Sequence, residues 1–265
     1  MGALQFQGVN FGVPAPQSLT RQLEADDDRI RSASLAAIGA PAQYLARGHV
    51  PYAHSIQLDF VPLGTNDELD ALLTVELDQH LVTAVLVPEG DTWRRVGTVV
   101  FPTPFYDPTT TPATFLRTAR SFQQPNRYRA IFRSYVGGAN GDYTENEAEL
   151  RILNGHAVIT ISFVASSRSC DTAPTGKNGK LGCDITQRWL QADSSDPTRR
   201  YTLVSATGRL SDKDAGDPLD KARQYQIAHL RNFTCQPFLF SETNQHYEPL
   251  AASAPCIAPQ QPPKP

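Results

Sequence analysis

An alternation of apolar and polar residues with a period of two begins at residue 55 and constrains the fold more than any other feature. In the segment SIQLDFVPLG the apolar positions are Ile56, Leu58 and Phe60. Successive side chains of a β-strand point to opposite faces of a sheet, so this period is typical of a strand with one buried face. The β-rich segments LDALLTVELD, LVTAVLVPEG and TWRRVGTVVF follow after short turns. Short turns force adjacent strands to pair, so an antiparallel meander is predicted.

Strand patterns continue through most of the chain. They recur in FLRTARSF, RYRAIFRSYV, EAELRIL, HAVITISFVAS, CDITQRWLQA and RRYTLVSATGRL. Asn154-Gly155 is the strongest short hairpin signal. Alternation of strands with helices is missing from the pattern, which argues against a parallel sheet. The predicted fold is therefore mainly β (α+β overall), with an antiparallel sandwich or open barrel over residues 50–250.

A helical hairpin is predicted over residues 18–47, between an extended arm (1–17) and this β domain; a Pro-rich tail (251–265) ends the chain. Ser18 is the expected N-cap of the first helix, because a serine hydroxyl accepts from free backbone N–H groups. Asp26, Asp27 and Asp28 are expected to cap the second helix. Gly39 and Pro41 then end it.

Residues 18–41 resemble a single HEAT-repeat unit, in which a leucine-bearing helix, an acidic turn and a second helix recur. The residues that carry the resemblance are Leu23, Asp27, Asp28, Ile30, Arg31, Ser34, Leu35, Ile38 and Gly39. One such unit cannot bury its own apolar face, and no second copy follows in the sequence. The resemblance therefore implies a helical hairpin that packs on another part of the chain.

The four cysteines indicate the compartment. Pairing of neighbours in sequence predicts the disulfides Cys170–Cys183 and Cys235–Cys256, although four cysteines allow three connectivities. A zinc site is the less favoured alternative because no C-x-x-C spacing is present, and free thiols are another alternative. Disulfides form in oxidising compartments, so an exported location, periplasmic or extracellular, is predicted, with no intact signal peptide at the start of this sequence.

Charge and hydropathy indicate which classes of binding partner to expect. A net charge of −3 and a pI of about 6.1 give no bulk attraction to nucleic acid. No run of apolar residues approaches the roughly 20 needed to cross a bilayer as a helix. We expect a protein partner, no nucleic acid and no transmembrane segment.

The polar segment GGANGDYTENE is the candidate ligand- or partner-binding point. Its candidate residues are Asn140, Asp142, Tyr143, Thr144 and Glu145. The spacing of oxygen-bearing side chains resembles a calcium loop, but an EF-hand beginning at Asn140 requires glycine at its sixth position and glutamate at its twelfth. Glu145 and Arg151 stand there instead, so a glycine-rich hairpin tip is favoured. No cofactor or metal is expected, and calcium is retained as a lesser alternative.

Motifs of catalysis do not stand out. The sequence has no G-x-S-x-G, H-E-x-x-H or P-loop pattern. The groups Glu145/Glu147/Glu149 and Asp67/Glu68/Asp70 offer carboxylates for a hydrolase acting on carbohydrate or cell-wall material. The favoured hypothesis is a non-catalytic exported accessory or binding protein contacting a larger assembly or a cell-surface partner. The hydrolase and a calcium-dependent binding module are the alternatives.

Overall fold

The computed structural model describes most of the chain. Described are residues 4–6, 9–45, 50–64, 68–78, 80–102, 114–120, 128–137, 142–172, 181–192, 196, 199–211, 215, 226–250 and 254–256. Strands dominate these residues, which confirms the mainly β prediction. The helices are α1 (Pro16–Leu23), α2 (Asp28–Ile38), a 3-10 helix (Ala42–Leu45) and a helical turn over residues 226–229.

Fifteen strands are named in chain order. They are β1 (Leu4–Phe6), β2 (Asn10–Val13), β3 (Ser55–Val61), β4 (Asp70–Leu77), β5 (His80–Glu89), β6 (Thr92–Pro102), β7 (Thr114–Arg120), β8 (Tyr128–Gly137), β9 (Tyr143–Leu153), β10 (His156–Cys170), β11 (Gly182–Ala192), β12 (Arg200–Ser211), β13 (Asn232–Ser241), β14 (His246–Pro249) and β15 (Ala254–Pro255).

The strands form two sheets with the predicted antiparallel pairing. The first has the order β1-β6-β5-β4-β3, and β2 also pairs with β6. The second has the order β14-β13-β12-β11-β10-β9-β8-β7, and β15 also pairs with β13. Neighbours in sequence are neighbours in space from β3 to β6 and from β7 to β14, so the meander is confirmed.

Contacts divide the chain into two compact units. Unit 1 contains residues 1–134 and 148–162, and unit 2 contains residues 135–147 and 163–265. Strands β9 and β10 each contribute residues to both units.

The helical hairpin of unit 1 packs on one face of the first sheet, as predicted. Its contribution to this core is Leu19, Leu23, Leu35 and Ile38, all almost fully buried. The sheet contributes Ala71, Leu73, Val75, Val82, Ala84, Leu86 and Val100. Burial of each leucine or isoleucine contributes about 1.5–3 kcal/mol relative to exposure, so the sheet supplies the surface that a lone helical hairpin lacks.

The other face of the first sheet has a core of its own. Leu72, Leu81, Val85, Val96 and Val99 meet Ala148, Leu150 and Ala157, which come from the parts of β9 and β10 that belong to unit 1. Both faces of β4 and β5 are therefore buried, which explains why these strands read as nearly continuous apolar runs.

Of the two N-caps predicted from the sequence, one is confirmed and one is wrong. Asp27 is the N-cap of α2, and its Oδ1 accepts from the backbone N–H groups of Arg29 (2.8 Å) and Ile30 (3.3 Å), as predicted. The prediction for Ser18 is wrong, because α1 already begins at Pro16. Proline suits the first helical turn, where its missing N–H costs no hydrogen bond, so Ser18 lies inside the helix.

Gly39 ends α2 at the predicted place and joins it closely to β6. Its φ of 77° is left-handed, and its N–H donates to the carbonyl of Ala36 at 3.0 Å. The hydroxyl of Thr98 donates to the carbonyl of Ile38 at 2.8 Å, and the guanidinium of Arg95 donates to the carbonyl of Ala36. A Cβ at position 39 would lie 2.4 Å from Thr98 Oγ1.

Gly39→Ala is expected to lower the free energy of unfolding by about 2 kcal/mol, because a left-handed conformation and a steric overlap add up. Gly90→Ala is the matched control: Gly90 also has a positive φ (60°), but no atom lies within 4 Å of its Cβ position. Urea denaturation of both variants separates the two contributions. Equal losses of stability in the two variants would show that steric overlap of the added Cβ with Thr98 and Arg95 does not destabilise the Gly39→Ala variant.

The two predicted disulfides are present, and both lie in unit 2. Cys170 and Cys183 face each other on β10 and β11, and Cys235–Cys256 joins β13 to the segment that contains β15. The buried core beside them contains Ile185, Trp189, Val204, Ala206, Ile227 and Leu230. The helical turn over residues 226–229 is followed by the start of β13 at Asn232.

Two histidines at the starts of strands are half-buried. His80 begins β5, is half-buried, and its Nδ1 lies 3.0 Å from the hydroxyl of Tyr44. Burial lowers the pKa of His80. His156 begins β10 and is also half-buried. The alternation of apolar and polar residues does not predict the contact of His80, because Tyr44 lies 36 positions earlier in the chain.

Candidate functional site

Most of the described residues in the predicted binding segment are buried or half-buried within unit 2. Asn140 lies outside the described residues. Asp142 is half-buried, and its Oδ1 accepts a hydrogen bond of 2.6 Å from the backbone N–H of Cys170. Tyr143 and Glu145 are buried, and Thr144 between them is half-buried. Of the described residues in this group, Asp142 and Thr144 are the ones that a partner could reach, and the binding role remains a prediction.

Tyr143 begins a chain of buried, neutral hydrogen-bonding side chains. Its hydroxyl lies 3.0 Å from Ser166 Oγ. Gln187 Nε2 donates to Ser166 Oγ (2.7 Å) and to Gln226 Oε1 (2.6 Å), and the amide of Gln226 donates to the carbonyl of Ala215. The chain links three strands of the second sheet to the helical turn. It therefore stabilises one arrangement of the sheet and the turn, since a shifted register would leave these buried groups without partners.

The sequence does not reveal Ser166, Gln187 and Gln226 as members of one chain. All three are almost completely buried, although polar residues in an alternating strand are usually expected on the solvent side. The pairing of Ser166 with Gln187 across β10 and β11 depends on the strand register. No local motif encodes that register.

Two of the carboxylates considered for a hydrolase, Glu149 and Asp70, hold neighbouring side chains and the backbone. Glu149 accepts hydrogen bonds from Arg151 Nε (2.6 Å) and Thr160 Oγ1 (2.9 Å). Asp70 Oδ2 accepts from the backbone N–H groups of Leu63 (2.9 Å) and Gly64 (2.5 Å). Asp67 lies outside the described residues. Within the described part of the chain, no group of three or more His, Cys, Asp or Glu residues is placed to hold a metal ion.

The three consecutive aspartates at the start of α2 each have a separate intramolecular role. Asp26 Oδ1 accepts from the hydroxyl of Tyr52 at 2.6 Å. Asp27 is the N-cap of α2, and Asp28 forms an ion pair with Arg31. The aspartates are therefore divided among three partners instead of converging on one point.

Arg31 is the central residue of a cluster that also contains Asp26, Asp28 and Tyr52, which we call the Tyr52 cluster. Only 2% of Arg31 is exposed. Its guanidinium donates to the carbonyls of Ala25 (2.7 Å) and Val50 (3.2 Å) in addition to its ion pair with Asp28. Its Cζ lies 3.8 Å from the centre of the Tyr52 ring. A buried cation with several acceptors is a rigid support for the ring that covers it.

Tyr52 presents the other face of its ring to solvent. The residue is 49% exposed, although its hydroxyl and one ring face are both held. The hydrogen bond to Asp26 raises the pKa of Tyr52, because donation to the carboxylate favours the protonated hydroxyl. The cluster is a fixed, accessible aromatic surface, which is chemically suited to binding by contact and not to proton transfer.

Comparison with models of known protein families, with curated protein sequences and with solved structures found no match in any of the three. Among the described residues, no helix is both long and apolar enough to cross a membrane.

The sequence indicates parts of the Tyr52 cluster but not the whole. The HEAT-like pattern singles out Arg31, and capping chemistry singles out the aspartates. Tyr52 follows a proline in a connector and has no periodic pattern around it. Its role arises from contacts with residues 21 and 26 positions earlier in the chain.

Proposed function

We propose that this protein is a non-catalytic accessory protein of an exported compartment, periplasmic or extracellular, that binds a protein partner in a larger assembly or at the cell surface. The observation that supports this function best is the Tyr52 ring, which is half exposed yet held on one face and at its hydroxyl. The two disulfides support the exported location, because such bonds persist in oxidising compartments.

A held aromatic ring is favourable for binding for an entropic reason. Immobilising a side chain at an interface costs roughly 0.5–1.5 kcal/mol, and this cost is already met in the free protein when the ring is fixed. Tyrosine is also enriched among the residues that dominate protein interfaces, because a large apolar surface is combined with a polar group. Tyr52 has both properties, and its polar group is bound to Asp26.

Further exposed apolar residues support a contact surface on unit 1. Of the large hydrophobic residues exposed in the described chain, most belong to this unit: Phe11, Ile30, Tyr52, Phe60 and Leu69. Single exposed hydrophobic residues are ordinary. Ile30 is next to Arg31 in the first turn of α2, which supplies Asp28 and Arg31 to the Tyr52 cluster. It is not itself a member of the cluster, so it supplies a position for a probe that leaves the cluster intact.

The test is site-specific photo-crosslinking followed by affinity measurement. A photo-reactive residue at Ile30 should crosslink one defined protein in the native compartment, whereas the same residue at Leu250, which is similarly exposed in unit 2, should not. With that protein purified, Tyr52→Ala should weaken binding about tenfold or more, as for a central aromatic contact.

Tyr52→Phe is the matched variant for the affinity measurement. It keeps the ring on Arg31 and removes only the hydrogen bond to Asp26. Its affinity should lie between those of the native protein and Tyr52→Ala. Equal crosslinking from positions 30 and 250, or an affinity that Tyr52→Ala leaves unchanged in a folded protein, would contradict the proposed function.

A further inference from the structure

Strand β3 is the regular outer edge of the first sheet. Its seven residues pair with β4 without interruption, from Ser55 opposite Glu76 to Val61 opposite Asp70. In the described part of the chain, β4 is the only strand that pairs with β3. An edge strand presents unpaired backbone N–H and C=O groups on its outer side and can therefore accept a further strand.

Several of the features that usually protect an edge strand are missing from β3, although the strand carries one charged residue, Asp59. Natural edges carry lysine, proline or a β-bulge, or are very short. The sequence of β3, SIQLDFV, contains one charged residue, Asp59, and no proline. By contrast, β7 at the end of the second sheet has an irregular register and two arginines in its sequence, and β2 at the other edge of the first sheet has four residues and an irregular register.

The sequence of β3 is complementary to itself when read in the opposite direction. An antiparallel pair centred on Leu58 places Gln57 opposite Asp59 of the second copy, and Ile56 opposite Phe60 of the second copy. The amide of Gln57 already donates to Asp59 Oδ2 within one strand at 2.9 Å, so these groups match as donor and acceptor. No two like charges face each other in this register.

Burial of apolar side chains also favours the pairing of two β3 strands. Phe60 is 38% exposed, and Ile56 is partly buried on the same face of the strand. Directly opposed side chains of an antiparallel pair approach within about 5 Å, and aromatic–β-branched pairs are favourable there. Each copy would thus cover the exposed Phe60 ring of the other.

We propose that β3 pairs with β3 of a second copy of this chain, antiparallel about a twofold axis at Leu58, which joins the two first sheets into one continuous sheet. The interface is symmetric, so every contact occurs twice. This interface is formed by β3 and includes Phe60, whereas the partner contact proposed above rests on the Tyr52 ring, so different variants test the two proposals.

Charge substitutions at Gln57 test the register, because they should act in opposite directions. Gln57→Asp places two carboxylates opposite each other twice in the interface and should raise the dimer dissociation constant about tenfold or more. Gln57→Lys places an ammonium group opposite Asp59 and should lower that constant. Sedimentation equilibrium over a range of protein concentrations measures both.

Two further variants keep the test decisive. The double variant Gln57→Asp/Asp59→Lys again places opposite charges face to face and should restore the dimer that Gln57→Asp weakens. Gln191→Asp is the matched control, because Gln191 is a half-buried strand residue opposite Thr202 inside the second sheet. Its substitution should leave the dimer unchanged, and thermal melting of each variant verifies the fold.

The proposal is overturned by any of three results. The first is a native protein that stays monomeric at concentrations up to about 1 mM, because its free energy of association would then be no more than about 4 kcal/mol. The second is a dimer whose dissociation constant Gln57→Asp and Gln57→Lys change equally or not at all. The third is growth into assemblies larger than two copies, because twofold pairing occupies the β3 edge completely.

Discussion

Glu149→Ala is expected to lower the free energy of unfolding by about 3–5 kcal/mol, because it leaves the guanidinium of Arg151 buried without its carboxylate. Glu149 and Arg151 are 2% and 3% exposed. Arg151 Nε donates to Glu149 Oε1 at 2.6 Å, and the hydroxyl of Thr160 donates to the same oxygen. Removal of one charge from such a group costs more than removal of both, since the remaining charge has lost its water and its partner.

The comparison that isolates this effect is between single and double variants. Glu149→Leu/Arg151→Met removes both charges and keeps the volume, so it should differ from the native protein by less than about 2 kcal/mol. Glu248→Ala is the surface control. Its carboxylate lies 3.5 Å from His246 in an exposed pair and should contribute less than about 1 kcal/mol. Urea denaturation measures all four proteins, and a double variant that loses more than Glu149→Ala would contradict the explanation.

Asp70 is expected to make stability fall by about 2.5 kcal/mol as the pH rises from 4 to 8. Burial raises the pKa of Asp70 from 3.8 to about 6, and the charge of Glu68 acts in the same direction; the N–H groups of Gly64 and Leu63 oppose the shift. Between these two pKa values the folded state binds more protons than the unfolded state. Stability therefore decreases with rising pH through this range, and each pKa unit corresponds to about 1.4 kcal/mol.

Asp70→Asn removes the titration and keeps an oxygen that can accept from Leu63 and Gly64. The free energies of unfolding of the native protein and of Asp70→Asn should be measured from pH 4 to pH 8. Their difference should shift in favour of the variant by about 2.5 kcal/mol across this range. A difference that stays constant, or that shifts in favour of the native protein, would show that the carboxyl of Asp70 is not destabilised by burial.

The sheets were predictable because their signals are local. Alternation over β3 and the Asn154-Gly155 turn depend on residues that are adjacent in sequence, and these signals placed the strands and the hairpins correctly. The disulfides were predictable for a similar reason. Cys170 and Cys183 lie on consecutive strands, so pairing of neighbours was the simplest connectivity.

The burial of polar residues was not predictable from the same signals. In β9 the alternation suggests that the polar face of the strand meets solvent, yet Tyr143, Glu145, Glu149 and Arg151 are buried. Whether the second face of a sheet is covered depends on distant residues, which periodicity does not report. Tyr52 was missed for the same reason, because its support by Arg31 and Asp26 exists only in the folded chain.

The placement of the two disulfides has a consequence for proteolytic damage. A cut of the backbone between residues 171 and 182, or between residues 236 and 255, falls between two bonded cysteines, so the severed pieces stay covalently joined. Protein nicked in these stretches would keep its full mass under non-reducing conditions and separate into fragments only after reduction. Such a chain tolerates cleavage within either stretch without releasing the segments on either side of the cut.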